Sequence, residues 1–285
     1  VPDSERSRLA VLGSPIAHSK SPLLHRAAYR ELGLDWTYEA IEVAGETLPG
    51  FLGSLNGQWR GLSLTMPLKR EVVGWLARRD DLVDLAGGAN TVLVTDDGLE
   101  GFNTDVYGVI EALRGAGVAR VSTVQLIGAG ATAASVLVAV ASLGAREVLI
   151  TARSPERAAP LAALASHVGV ASVMVTGLDG PTGTFAADLV VSTLPGGTGV
   201  DVPLPAAVLT GETLLDVAYD PWPTPLAARF LDAGGRVISG LEMLVNQALA
   251  QVRIFVTGTA DTPLDDEARV LQAMRASIGL GPSPC

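Results

Sequence analysis

Hydrophobic and polar positions change rhythm partway along the chain. An apolar run over residues 8–12 ends at Gly13 and predicts a strand. Ser21-Pro22 is a helix-start signal, with Leu23, Leu24, Ala27, Ala28 and Leu32 on one face and Gly33 as the stop. Residues 37–43 and 61–65 predict a second and third strand, and Pro67 opens a helix carrying Val72, Val73 and Leu76. Two β-type runs, 90–95 and 99–103, flank Asp96-Asp97-Gly98 and predict a β-hairpin.

From about Val106 the pattern becomes a repeated strand–helix alternation. Strands are expected over 123–127, 147–151, 189–192, 213–217 and 236–239, a spacing that suits βαβ units in a parallel sheet. Helices are expected over 241–256 and 263–278, followed by an untethered tail, 279–285. Between Arg120 and Arg146 lie 25 residues without a charge, long enough to span a bilayer. Gly128 and Gly130 split this run, and its Ser and Thr residues lower its hydropathy, so it reads as a buried strand followed by a buried helix.

Composition narrows the class. With 48% hydrophobic and 18% charged residues, the chain carries a packed core, and its 285 residues favour two domains over one. The one cysteine, Cys285, excludes an intrachain disulfide framework and any Cys-rich metal site; no metal is expected. A net charge of −10 argues against nucleic acid as a partner, yet leaves room for a local basic pocket that takes a small anion. No secretory leader pattern is present, and a cytoplasmic location is expected.

Three sets of residues can carry chemistry. Gly128-Ala129-Gly130-Ala131-Thr132-Ala133 is a G-x-G-x-x-A loop between the predicted strand and helix, where glycines let backbone N–H groups approach a pyrophosphate. At the end of the next strand, Thr151-Ala152-Arg153-Ser154 offers an arginine suited to a 2′-phosphate and no acid for a ribose, which favours NADP. Ser19 and Ser21, just ahead of a helix start, can bind a carboxylate; on the residues alone, Ser21 as an N-cap and Ser19 as a loop residue is the commoner arrangement. Thr65 to Lys69, Gly88 to Thr91 and Asn103-Thr104-Asp105 supply a Lys and an Asp able to shuttle a proton if they share a cleft. Singly, each has a structural reading: Lys69 as a solvated first-turn lysine, Asp105 as an N-cap and Asn90 as a turn residue.

Taken together and in order, these segments resemble the shikimate dehydrogenase family. The resemblance runs from His18-Ser19-Lys20-Ser21-Pro22 to Tyr219-Asp220-Pro221-Trp222-Pro223-Thr224-Pro225-Leu226 and Gly240-Leu241-Glu242-Met243-Leu244-Val245-Asn246-Gln247. It implies a two-domain α/β fold: an α/β substrate domain from 1–105 plus 241–285, a Rossmann-type NADP domain from 106–240, and catalysis in the cleft. The implied reaction is reversible NADPH-dependent reduction of 3-dehydroshikimate to shikimate, in aromatic amino-acid biosynthesis, by a monomer or homodimer. Lys69 and Asp105 would be the catalytic pair. Ser19 and Ser21 would bind the substrate carboxylate, Thr65, Asn90 and Gln247 its ring hydroxyls, and Tyr219 would lie near the carboxylate end. The coenzyme would meet residues 128–133, Thr151, Arg153, Ser154, Thr193, Leu194, Pro195, Gly240 and Met243, although Met243 reads nearly as well as core.

The chain departs from the family pattern at several places. Ser63 stands where the family usually has Asn, Ala131 replaces the third Gly of the loop, Ala134 replaces an Arg, and Ala152-Arg153-Ser154 replaces Asn-Arg-Thr. Losing the loop Arg removes one phosphate contact. An NAD-linked quinate/shikimate dehydrogenase and a non-catalytic NADP-binding regulator are the alternatives. Arg153 argues against the first; the Lys69 and Asp105 pair argues against the second.

Overall fold

A computed structural model describes residues 7–180, 185–199 and 202–282. The chain divides into two compact units, Val1–Gly108 with Leu244–Cys285, and Val109–Met243. Among its described residues the first contains six strands: β1 (Arg8–Gly13), β2 (Thr37–Glu42), β3 (Trp59–Leu64), β4 (Arg78–Arg79), β5 (Thr91–Thr95) and β6 (Gly98–Phe102). Their order is β2-β1-β3-β5-β6-β4; β1 runs parallel to β2 and β3, while β5 is antiparallel to β3 and β6. Side chains alternate along β1: Leu9 and Val11 enter one apolar cluster, Ala10 and Leu12 the other. The sheet therefore has a core on each face, as a period of two requires.

The first of those cores is closed by helices. Ser21–Glu31 buries Ser21, Leu24, His25, Ala27, Ala28 and Tyr29, whereas Leu23, one position off this stripe, is exposed rather than packed. The helix Gly240–Thr257 contributes Val245, Leu249, Val252 and Phe255, and Glu267–Ser277 contributes Val270 and Met274. This last helix starts four residues after Pro263, because Glu267 reaches back to accept the Leu264 N–H and pairs with Arg253. The helix expected at Pro67 is shorter than its apolar pattern suggests, one turn over Leu68–Glu71 followed by a 3-10 turn, Val72–Trp75. The expected tail is tethered in its first residues: Leu280 packs against the core, and Arg275 donates to the Gly281 carbonyl. Cys285 lies outside the described residues.

The second unit holds β7 (Thr123–Ile127), β8 (Glu147–Ala152), β9 (Ser172–Gly177), β10 (Leu189–Ser192), β11 (Thr213–Asp216) and β12 (Arg236–Ser239). All pairs are parallel, in the order β12-β11-β10-β7-β8-β9. This is the doubly wound order whose direction reverses between β7 and β10, and such sheets bind ligands beyond the carboxyl ends at that reversal. The uncharged run forms β7 and the helix Ala131–Ser142, which buries Ala133 through Val140. Among the described residues no helix is long and apolar enough to cross a membrane. The edge strand β9 is an addition to the strands expected from the sequence.

Candidate active site

Four segments of the first unit meet at the carboxyl ends of β1 and β3. Thr65 N–H donates to the Leu12 carbonyl and Ser14 N–H to Met66, which ties the residues after β1 to those after β3. Thr91 pairs with Ser63 on β3 and with Phe102 on β6, so Asn90 and Asn103 reach the same edge as Thr65. Ala89 N–H donates to the Lys69 carbonyl, which fixes the short helix bearing Lys69 against this edge.

Here Lys69 Nζ lies 2.5 Å from Asp105 Oδ2, with the lysine side chain 14% and the aspartate 4% exposed. Neither solvation nor capping accounts for these side chains. Asp105 is the first residue of the helix Asp105–Gly115, its own N–H donates to Asn103 Oδ1 at 3.1 Å, and its carboxylate turns toward Lys69 and Asn90. Asn90 is buried rather than set in an exposed turn. Its Nδ2 donates to Asp105 Oδ1 and Thr104 Oγ1, both at 2.9 Å, and to Gln247 Oε1 at 3.1 Å. Asn103 donates to the Gly88 carbonyl, and its N–H reaches Asp80, whose carboxyl is raised by burial against the pull of the Val83 and Asn103 N–H groups.

Ser19 and Ser21 sit at the start of the helix Ser21–Glu31. Lys20, not Ser21, occupies the N-cap and makes no side-chain cap; the Ser21 N–H is turned to Ser19 Oγ at 3.3 Å. Both hydroxyls thus stand at the N-terminal end of this helix, the positive end of its dipole, a setting that suits a carboxylate. Thr65 is half-buried just beyond β3. Ser63 turns away from this group: its hydroxyl accepts from Tyr38 and donates to Gln251. Tyr219 belongs to the second unit, in the segment after β11. Asp216, raised by burial, accepts from Thr224 Oγ1 and the Ala218 N–H and so pins both ends of that segment.

The second unit offers a dinucleotide cradle at the reversal of its sheet. Gly128 has φ +114°, and a Cβ there would collide with Thr193 Oγ1, itself donating to the Ile127 carbonyl. Only glycine lets the chain after β7 pass the chain after β10 this closely. Gly130 caps the next helix with no side chain, leaving the amides ahead of Ala134 directed at an incoming phosphate. These residues fit a pyrophosphate. Arg153 is exposed immediately after β8, and Ser154 donates to Glu156 Oε2 at 2.7 Å, which holds that carboxyl below its ordinary value. Glu156 is an acid near the strand end that inspection of Thr151 to Ser154 overlooks. Thr151 is fully buried near the end of β8, with its hydroxyl accepting from Gln125. Met243 is buried.

Sequence reasoning misses His25, Tyr38 and Gln251, which lie behind the cluster. His25 is buried between Tyr29 and Gln251 and stacks on Tyr38 with ring centroids 4.0 Å apart. Burial lowers its pKa to about 3, despite a hydrogen bond to Gln251 that opposes the shift. The available signals were spacing alone: His25 with Tyr29, and Gln247 with Gln251, each four residues apart on a helix.

The model of the shikimate dehydrogenase substrate binding domain matches residues 11–92. The chain is 35% identical over 286 residues to a shikimate dehydrogenase (NADP(+)) from Moorella thermoacetica, spanning 96% of each. The crystal structure of Mycobacterium tuberculosis shikimate dehydrogenase is 40% identical and superposes with a TM-score of 0.81 over 95% of this chain and 99% of that one. Shikimate 5-dehydrogenase from Thermus thermophilus, in complex with NADP(H) and shikimate, is 33% identical with a TM-score of 0.79, covering 95% and 99%. With a doubly wound sheet and a Lys–Asp pair in the expected segments, this chain belongs to the shikimate dehydrogenase family.

Proposed function

We propose that the protein is an NADP-dependent shikimate dehydrogenase that interconverts 3-dehydroshikimate and shikimate. The observation that carries this reading is the partly buried pair of Lys69 and Asp105, 2.5 Å apart. The bound coenzyme supplies or accepts a hydride. Lys69, as an ammonium, donates a hydrogen bond to the ring carbonyl oxygen and passes a proton to it as negative charge develops there. Asp105 fixes Lys69 through Oδ2 and is itself held by Asn90 through Oδ1. Ser19 and Ser21 bind the substrate carboxylate, Thr65, Asn90 and Gln247 face its hydroxyls, and Tyr219 completes the carboxylate end. Gly128 to Ala133 take the pyrophosphate and Arg153 the 2′-phosphate, with Ser154, Thr193, Leu194, Pro195, Gly240 and Met243 along the coenzyme.

Substrate and coenzyme are small water-soluble anions, consistent with a cytoplasmic enzyme, and the net charge of −10 disfavours a nucleic-acid partner. Replacing Lys69 with Ala tests the catalytic assignment. Turnover should fall by about two to four orders of magnitude, while NADPH binding, followed by nucleotide fluorescence, stays within a factor of two or so of the parent. Turnover near the parental rate would remove Lys69 from the chemistry.

A further inference from the structure

Behind the Lys69 and Asp105 pair runs a chain of hydrogen bonds whose direction is fixed at every step. Gln251 is buried on the helix Gly240–Thr257. Its Nε2 donates to the Asn90 carbonyl at 3.1 Å and to Thr91 Oγ1 at 3.0 Å, while its Oε1 accepts from Ser63 Oγ at 3.0 Å. Turning this amide over would set its oxygen against the Asn90 carbonyl, two acceptors face to face, so only one orientation is satisfied. His25 Nε2, 3.1 Å from the same Oε1, must then carry the hydrogen, and His25 Nδ1 accepts from Tyr29 at 3.1 Å. Thr91, having accepted from Gln251, gives its own hydrogen to Asn90 Oδ1 at 2.9 Å. The Thr104 N–H donates to that oxygen as well, at 2.8 Å. Thr104 Oγ1 lies 3.2 Å from the same oxygen as a further donor, and with its oxygen so held Asn90 points its Nδ2 at Asp105.

We infer that Gln251 is a positioning residue for the reaction, which sets the Thr91 hydroxyl, and through it the Asn90 amide, so that the Asp105 carboxylate is held facing Lys69. The inference rests on the reading of Lys69 and Asp105 as the catalytic pair. Gln251 touches neither residue and acts only through Thr91 and Asn90. The charged and titratable groups around this chain are Lys69 on Asp105, Asp80 behind Asn103, and His25, Tyr29 and Tyr38 at its buried end, with Arg60 near Tyr29. A neutral His25 suits the donor role at Nε2, since it leaves Nδ1 free to accept from Tyr29.

The test compares Gln251→Met, which keeps an unbranched side chain, with Thr91→Val, which removes one hydroxyl and little volume. Each variant is assayed for kcat and for KM with shikimate, with Lys69→Ala alongside. With a donor on Asn90 Oδ1 weakened, Asp105 is held less firmly against Lys69. In both variants kcat should fall about tenfold, more than KM rises. A parental kcat in the folded variants, with only a lower melting temperature, would overturn the inference and leave Gln251 a core residue. Should Gln251→Met fail to fold, Thr91→Val decides on the same readouts. Parental turnover in Lys69→Ala is a different failure, because it removes the catalytic pair itself.

Discussion

Asp105 shows how one residue can be held by several. One carboxylate oxygen meets Lys69, the other meets Asn90, and its backbone N–H is taken by Asn103. Charge-assisted bonds of this kind are worth more than neutral ones, and at 4% exposure the carboxylate needs them. His25 is the opposite case, a titratable group kept neutral by burial. Its folded pKa of about 3 lies below the ordinary 6.5, so below pH 6.5 the unfolded chain takes up a proton that the native state refuses. Stability is thus fully present above pH 6.5 and declines as pH falls toward 3. Replacing His25 with Phe, which can keep the ring stack on Tyr38, should flatten urea-derived stability between pH 6.5 and 5 by about 1 kcal/mol per unit on average relative to the parent. Equal slopes in parent and variant would show that His25 charges in the folded protein. Lys69, Asp105, Asn90 and Gln247 were legible in the sequence because they lie in ordered motifs. His25 and Gln251 were not, since what marks them is burial and the direction of hydrogen bonds across elements far apart in the chain.

Elements explain where those residues end up. β1 and β3 are parallel neighbours, and the β5–β6 hairpin folds back beside β3, so four loops distant in sequence emerge at one edge. In the second unit, Gly128 and Gly130 convert a run with the length of a membrane span into a strand, a bare turn and a helix. The central strands β7, β10 and β11 are largely buried, as central parallel strands should be, and the edge strand β12 was legible as well. β9 escaped because it is an edge strand with Met174 and Val175 exposed. The start of Glu267–Ser277 escaped because Arg253, on another helix, decides where Glu267 points. Arg153 belongs to this scale, since the end of β8 is what delivers it. Changing it to Ala should weaken NADP by about tenfold or more and leave NAD within about twofold, measured as Kd for each coenzyme. Equal losses would detach Arg153 from the 2′-phosphate, and Glu156 beside Ser154 would then become the residue to examine for coenzyme choice.

At the scale of the whole molecule, the chain builds two sheets of different logic, one mixed and one wholly parallel, with the C-terminal helices returning to the first. Its net charge of −10 stands beside sites suited to two anions, because recognition rests on Arg153, Lys69, hydroxyls and backbone amides instead of on bulk charge. The central claim is that these parts make an NADP-dependent shikimate dehydrogenase. Its most direct test is the absorbance of reduced coenzyme formed when shikimate and quinate are each paired with NADP and with NAD. The account predicts the highest kcat/KM for shikimate with NADP. Faster turnover of quinate with NAD, or no turnover in any of the four combinations, would contradict it.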